Sequence, residues 1–346
     1  MGQCKCTTAC YQKEEITSLK ISSHSIQISI KQNKNYQDKT FDKIEPPNQK
    51  DLESGILKNS ITSKISIQEL SKNLIQTQAR MPDQVIDSMQ SSERKTLPLL
   101  QLPNGTKYEG QWLNGMRDGF GKQIWPDGSI YEGEWKQDKS NGHGRLIHFD
   151  GDLYDGEWID DTACGKGIYI HINGAKYEGD WLNDNQHGNG FEAWPDGARY
   201  QGEYKFGKKN GKGILTFTDG ANYEGNFVDN EISGYGIYKW EDGRIYTGQW
   251  QDNKMHGEGT LRWPDGRCFK GSYENDKKQG NGIFYFGDGR KYIGTWNDGK
   301  QNGLGIYYQD ERHYKIGVWQ DGQRQQWLND QEIEAVKDSI SNLQRL

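Results

Sequence analysis

Tyr108-Glu-Gly-Gln-Trp112 is the stretch on which the fold turns, because it returns at a fixed interval down the chain. It recurs as Tyr131–Trp135, Tyr154–Trp158, Tyr177–Trp181, Tyr200–Tyr204, Tyr223–Phe227, Tyr246–Trp250, Phe269–Tyr273 and Tyr292–Trp296. Each copy starts 23 residues after the last, without an insertion or deletion. Seven residues after each closing aromatic stands a Gly-x-Gly, from Gly119/Gly121 to Gly303/Gly305. Seven residues further comes Asp-Gly or Asn-Gly in the first eight copies, from Asp127-Gly128 to Asp288-Gly289. Self-similarity at one period marks a repeat architecture.

Each unit reads as a β-hairpin. Tyr-x-Gly-x-Trp alternates at period two, which puts Tyr108, Gly110 and Trp112 on one face of a strand. Gly119, Gly121 and Trp125 are expected to share that face in the second strand, the glycines leaving room for neighbouring rings. The Asp-Gly pair is expected to supply the positive φ values of a tight turn, and Leu113 to Asp118 a polar loop of about six residues. The fold class that follows is all-β: an elongated single-layer antiparallel sheet of about nine to ten hairpins. At about 4.8 Å per strand, about 18 strands would give a twisted rod of roughly 85 Å.

Composition agrees with position. The chain has 346 residues, with 44 Gly, 12 Trp and 19 Tyr but only 8 Pro. Glycine at about 7% is ordinary, so this excess, with 12% aromatic residues, excludes both an aliphatic-cored enzyme domain and simple disorder. Collagen's glycine period and proline content are absent. Residues 1–97 hold just Gly2 and Gly55 and no Trp, with 14 Lys/Arg against 11 Asp/Glu. The remainder carries 29 against 38, so a basic nucleic-acid footprint is missing. No apolar run approaches the roughly 20 residues that span a bilayer, and no apolar core of a signal peptide is seen.

The Y-x-G-x-W…G-x-G…D-G pattern of residues 108–305 resembles the MORN (membrane occupation and recognition nexus) repeats. The resemblance implies a repeat scaffold rather than a catalyst, with ciliary, cytoskeletal or membrane-junction roles by analogy. Phe269 and Tyr273 depart from the usual Tyr and Trp, and His148 and His171 take slots held elsewhere by Trp125, Trp194 and Trp263. Leu100 to Gly105 looks like a leading half-repeat. After Gly305 the Asp-Gly turn is lost, and Gly317-Val-Trp319 returns in register as a degraded tenth copy.

Four regions are therefore expected: an acylated N-terminus at 1–10, a mostly disordered tether with a short helix at 11–97, the repeats at 98–325, and a capping helix at 326–346. Gly2 suits N-myristoylation after loss of Met1, and Cys4, Cys6 and Cys10 suit S-palmitoylation. One myristoyl chain holds a membrane marginally, and a second makes the anchor stable. Asn329 and Glu332 have capping-box spacing, and Ile333, Val336, Ile340 and Leu343 then share a helical face. The expected seat of that helix is the open end of the sheet.

Candidate sites follow from the two faces. The aromatic ladder comprises Tyr108, Trp112, Trp125, Tyr131, Trp135, Tyr154, Trp158, Tyr177 and Trp181, then Trp194, Tyr200, Tyr223, Trp240, Tyr246, Trp250, Trp263, Tyr292 and Trp296. It reads both as cross-strand core and as a binding face, since nothing in the sequence covers it. The opposite face carries acids in the first six repeats, among them Glu132, Glu134, Asp155, Glu157, Glu178 and Glu224. In the last three those positions hold Thr247, Gln249, Lys270, Ser272, Ile293 and Thr295, an acid-free surface expected to meet a protein. Lys205, Lys208, Lys209 and Lys212 form the one basic cluster suited to anionic lipid such as a phosphoinositide. No P-loop, nucleophile elbow or kinase signature occurs, and neither cofactor nor metal is called for. The expected function is a non-catalytic scaffold, binding protein partners at the cytoplasmic face of a plasma or ciliary membrane. The alternatives are a soluble axonemal or cytoskeletal subunit and a phosphoinositide-binding regulatory module.

Overall fold

The computed structural model describes residues 93–346, which form one open antiparallel sheet of 21 strands. Strands run from β1 (Lys95–Gln101) to β21 (Gln323–Trp327) in chain order. The repeating hairpin is β2 (Lys107–Leu113) with β3 (Met116–Ile124). Each strand pairs with the next in sequence, so the sheet is an uninterrupted meander. Three strands more than expected appear, because the leading half-repeat contributes β1 and the degraded tenth copy contributes β20 (Tyr314–Gln320) and β21.

The register shows what the glycines do. Gly110 lies opposite Gly121, which lies opposite Gly133, and so on to Gly305 opposite Gly317. The Tyr108 ring lies over this column: a Cβ built on Gly121 would stand 2.1 Å from the Tyr108 hydroxyl. That hydroxyl donates to the Gln111 carbonyl at 3.1 Å. Gly119 behaves differently from the expectation. Pairing jumps from Gly110↔Gly121 to Trp112↔Arg117, so β3 bulges. Gly119 sits in the bulge at φ +102°, and its Cβ would meet the Gln111 side chain rather than a ring. The first glycine of Gly-x-Gly thus makes the bulge on the face opposite the rings, and the second clears the ring.

The two turns exchange the roles read from sequence. The six-residue loop is instead a two-residue turn, Asn114 (φ 52°) and Gly115 (φ 78°), with β3 starting at Met116. Two consecutive positive φ values make the tight hairpin turn whose twist matches its strands. Equivalent pairs are Asp160/Asp161, Asn183/Asp184 and Asp229/Asn230. Their second residue also reaches back one repeat: Asp161 Oδ1 accepts from the Ser140 amide at 2.7 Å, and Asp184 Oδ1 from the Ala163 amide at 2.7 Å. At Trp125 to Ser129 only Gly128 has positive φ (96°), while Asp127 Oδ1 accepts from the Ser129 amide at 2.9 Å. That is the longer, three-residue connection.

After β21 come α1 (Asp330–Ala335) and α2 (Lys337–Gln344). The expected capping box is present: the Asn329 side chain accepts from the Glu332 amide at 3.0 Å, and Glu332 Oε2 accepts from the Asn329 amide at 2.8 Å. The helix breaks at Val336 instead of running on. Its seat is a face near the end of the sheet rather than its bare edge. Ile340 and Leu343 pack with Ile283, Ile293, Ile306 and Ile316 on the sheet's ring-free face.

Candidate functional site

The ring-bearing face is the core. Tyr108 stands edge-on to its own Trp112 at 5.0 Å and to Trp135 of the next repeat at 5.5 Å. Tyr131 repeats the arrangement with Trp135 at 5.0 Å and Trp158 at 5.4 Å. The indole nitrogens of Trp135, Trp158 and Trp181 donate to the carbonyls of Gly121, Gly144 and Gly167 at 3.1, 2.9 and 3.1 Å. Each edge-on ring pair is worth about 0.5–1.5 kcal/mol beyond the area it buries. Every ladder residue read from sequence is at most 8% exposed except Trp240, which is half-buried. The rings shield one another, so they are inner structure rather than an open binding face. Burial also holds the hydroxyls of Tyr131, Tyr154 and Tyr177 protonated well above the ordinary tyrosine range.

The basic cluster is divided by the fold. Lys209 is 1% exposed and lies among the rings, its Nζ 2.9 Å from Glu192 Oε2 and 5.1 Å from the Tyr200 ring centre. Tyr204 donates to the same carboxylate at 2.8 Å. Lys208 pairs with Asp229 at 2.6 Å, Lys205 is exposed, and Lys212 points to the ring-free face. The four therefore make no common lipid-facing patch. Sequence reasoning missed Lys209 because a charge in a 23-residue slot held elsewhere by Ile232 or Met255 looks like any surface lysine.

The ring-free face carries the remaining acids. An acid two residues after the first position of the strand, next to the closing aromatic, has a structural duty there. Glu134 Oε1 accepts from the bulge amide of His143 at 3.1 Å, Glu157 from Lys166 at 3.1 Å, Asp180 from Asn189 at 2.8 Å, and Glu203 from Lys212 at 2.9 Å. At the first position Asp155, Glu178 and Glu224 are free of this duty and, with His143, Lys166 and Lys212, border a groove of about 1190 Å³. Its floor is the backbone of the glycine column from Gly156 to Gly236, and Asp155, Ile168, Glu178, Phe191, Ile214, Glu224, Tyr235 and Ile237 line it. Phe191, Ile214 and Tyr235 are exposed at 37%, 45% and 56%.

Of the acid-free surface expected to meet a protein, Gln249 and Lys270 are exposed and Thr247, Ser272 and Thr295 half-buried, but Ile293 is covered by the chain itself. Ile283, Ile293, Ile306 and Ile316 are buried there under Ile340 and Leu343. The chain's own helices occupy the isoleucine part of that surface. Gly2, Cys4, Cys6 and Cys10 lie outside the described residues.

Nine matches to the MORN repeat model run from 108–130 to 292–310, on the hairpins just described. The chain belongs to the MORN-repeat family. No curated protein sequence matches this MORN chain. Among solved structures it is similar to a mutant TCP10 domain of Danio rerio CPAP, at 14% identity and a TM-score of 0.34, covering 57% of this chain and 94% of that one. It is also similar to the TCP10c domain of Drosophila melanogaster Sas-4, at 12% identity and a TM-score of 0.26, covering 51% and 96%. A third similarity is to streptogramin B lyase, at 12% identity and a TM-score of 0.14, covering 69% and 87%.

Proposed function

We propose that this MORN protein is a non-catalytic scaffold that receives a protein segment in the groove of its ring-free face, while N-terminal acylation holds it at the cytoplasmic side of a membrane. The observation that carries the reading is the division of the two faces. One face is sealed by its own rings and one end of the other by α1 and α2, which leaves exposed apolar residues flanked by carboxylates in repeats 3 to 6. An apolar groove with convergent polar groups is the usual form of a recognition site. The sequestered Lys209 speaks against the repeats as a phosphoinositide reader.

A photo-crosslinking residue at Tyr235 tests the groove, with one at the far-turn position Glu241 as control. Partner adducts from Tyr235 alone, lost on Ile214→Glu, are expected; equal yields from both positions would remove the groove from the function. The anchor is tested separately, by incorporation of myristate and palmitate analogues in wild type and Gly2→Ala. Absence of label with unchanged fractionation would leave the scaffold without its membrane.

A further inference from the structure

The groove has a periodicity of its own, which limits what fits it. Ile168, Phe191, Ile214 and Ile237 occupy one column of the ring-free face. They lie on β7 (Thr162–Ile170), β9 (Asn185–Ala193), β11 (Lys208–Thr216) and β13 (Glu231–Lys239). Between them, on the intervening strands, stand Glu178, Gln201 and Glu224. Ile168 is opposite Glu178, Glu178 opposite Phe191, Phe191 opposite Gln201, and Ile214 opposite Glu224. Apolar side chains therefore recur on every second strand, about 9.5 Å apart, with a carboxylate or amide between each pair.

The same column in the first two repeats shows what has changed. There Lys122 and Arg145 stand opposite Glu109, Glu132 and Asp155, acid alternating with base. In repeats 3 to 6 the base is replaced by an aliphatic or aromatic residue, while the acid persists as Asp155, Glu178 and Glu224 and becomes Gln201 in repeat 5. Glu178 retains the exposed Lys176 at 2.8 Å, while Glu224 has no ion pair among the described residues. The base that this column supplies to itself in repeats 1 and 2 is missing from the column in repeats 3 to 6, where Lys166 and Lys212 line the groove beside it and Lys166 pairs with Asp180 at 2.5 Å.

The helix-covered end is built otherwise. Ile283, Ile293, Ile306 and Ile316 lie directly opposite one another on four consecutive strands, a continuous aliphatic floor about 4.8 Å in step. Over it lie helices that carry Asp330, Glu332, Glu334 and Asp338. An acidic helix suits that acid-free floor. On the interrupted column it would set its apolar stripe over carboxylates.

The ligand geometry follows from the spacing. A rise of about 9.5 Å is about 6.3 residues of α-helix, which is not a whole number of turns. Three residues of β-strand span it, but alternate side chains point to opposite faces, so every second anchor would point away. Three residues of polyproline II rise about 9.3 Å and complete one turn, which returns the same face each time. Aromatic side chains open to solvent, here Phe191 and Tyr235, are a usual seat for such a segment.

We infer that the groove of repeats 3 to 6 binds a polyproline II segment of about ten residues, apolar at every third position, with Lys or Arg between to meet Glu178 and Glu224. This rests on the groove being the recognition face and specifies its partner. The test uses the full chain and a fluorescent peptide of four Leu-Pro-Arg triplets, titrated by anisotropy. The controls are a scramble of equal composition, a Leu-Pro-Glu repeat, and a basic amphipathic helix of similar length. The triplet peptide is expected to bind at least tenfold more tightly than each control. Ile214→Glu should abolish that preference, and Glu178→Gln with Glu224→Gln should flatten its salt dependence. These residues are exposed, so the fold of each variant is checked by its tryptophan spectrum. Equal binding of the scramble, tighter binding of the helix, or no binding at all overturns the inference. If the Tyr235 crosslink then still maps a partner, the groove reading survives and only the partner's chemistry falls.

Discussion

A single slot in the repeat shows how little freedom the ring-lined core leaves a charge. Residues 117, 140, 163, 186, 209, 232, 255, 278 and 301 are equivalent at the 23-residue period, and they include Ile232 and Met255 beside Lys209 and Lys278. Lys209 is compensated by Glu192. Lys278 has rings instead, its Nζ 4.8 Å from the centre of Trp296, 5.0 Å from Phe284, 5.1 Å from Phe269 and 5.4 Å from Trp263. Cation–π attraction offsets part of the desolvation. Burial still wins, aided by Arg267 nearby, and pulls the ammonium down to about 8. The unfolded value is ~10.4, so between pH 10 and 8 the unfolded chain binds this proton and the folded chain does not. Stability therefore falls as pH drops through that window and is fully lowered below it. Lys278→Met, which installs the residue of the preceding repeat, should raise the urea midpoint at pH 7. Its advantage over wild type should shrink by pH 10. A gap that stays constant or widens with pH would show that the rings, not desolvation, govern this lysine.

At the scale of the hairpin, the two glycine roles separate into different energetic costs. Gly121 faces a ring that cannot retreat, because Tyr108 is fully buried and its hydroxyl is tied to Gln111. Gly121→Ala must displace that ring, and about 3 kcal/mol is expected from overpacking. Gly128 has open space around it and needs only its positive φ, so Gly128→Ala should cost about 1 kcal/mol. Chemical denaturation of the two variants checks the order, and a reversed order would mean that turn conformation outweighs ring clearance. The hairpin was half legible in the sequence. Period-two alternation located the first strand and its buried face, since Tyr108 and Trp112 leave no other reading. The turn assignment was misled by the visible Asp-Gly. In Asp160-Asp161 or Asn183-Asp184 the tight turn has no glycine, yet it tolerates positive φ because the second side chain is bonded back to the preceding repeat. That bond spans 21 residues, and local turn chemistry does not reveal it.

Over the whole sheet, each strand touches its sequence neighbours, so stability is close to a sum of hairpin terms and neighbour interfaces. The acids of the ring-free face were legible, but not which part of that face stays open, because the C-terminal helix expected at the sheet's end lies over Ile283 to Ile316 instead. Nothing in Ile340 and Leu343 states which apolar surface they will find; the free column of repeats 3 to 6 excludes them by its carboxylates, and the acid-free floor accepts them. This choice sets a limit on what loss of the helices can do. Deleting Asn329–Leu346 uncovers Ile306 and Ile316, which are 0% and 5% exposed in the intact fold. In a sheet built from neighbour contacts the damage should stay local. Amide hydrogen exchange of the truncated chain should therefore lose protection in residues 277–327, while residues 130–193 exchange as in the full chain. The uncovered isoleucines should also drive concentration-dependent association. Protection lost evenly along the sheet would mean that the 21 strands unfold as one cooperative unit and that the helices brace all of it.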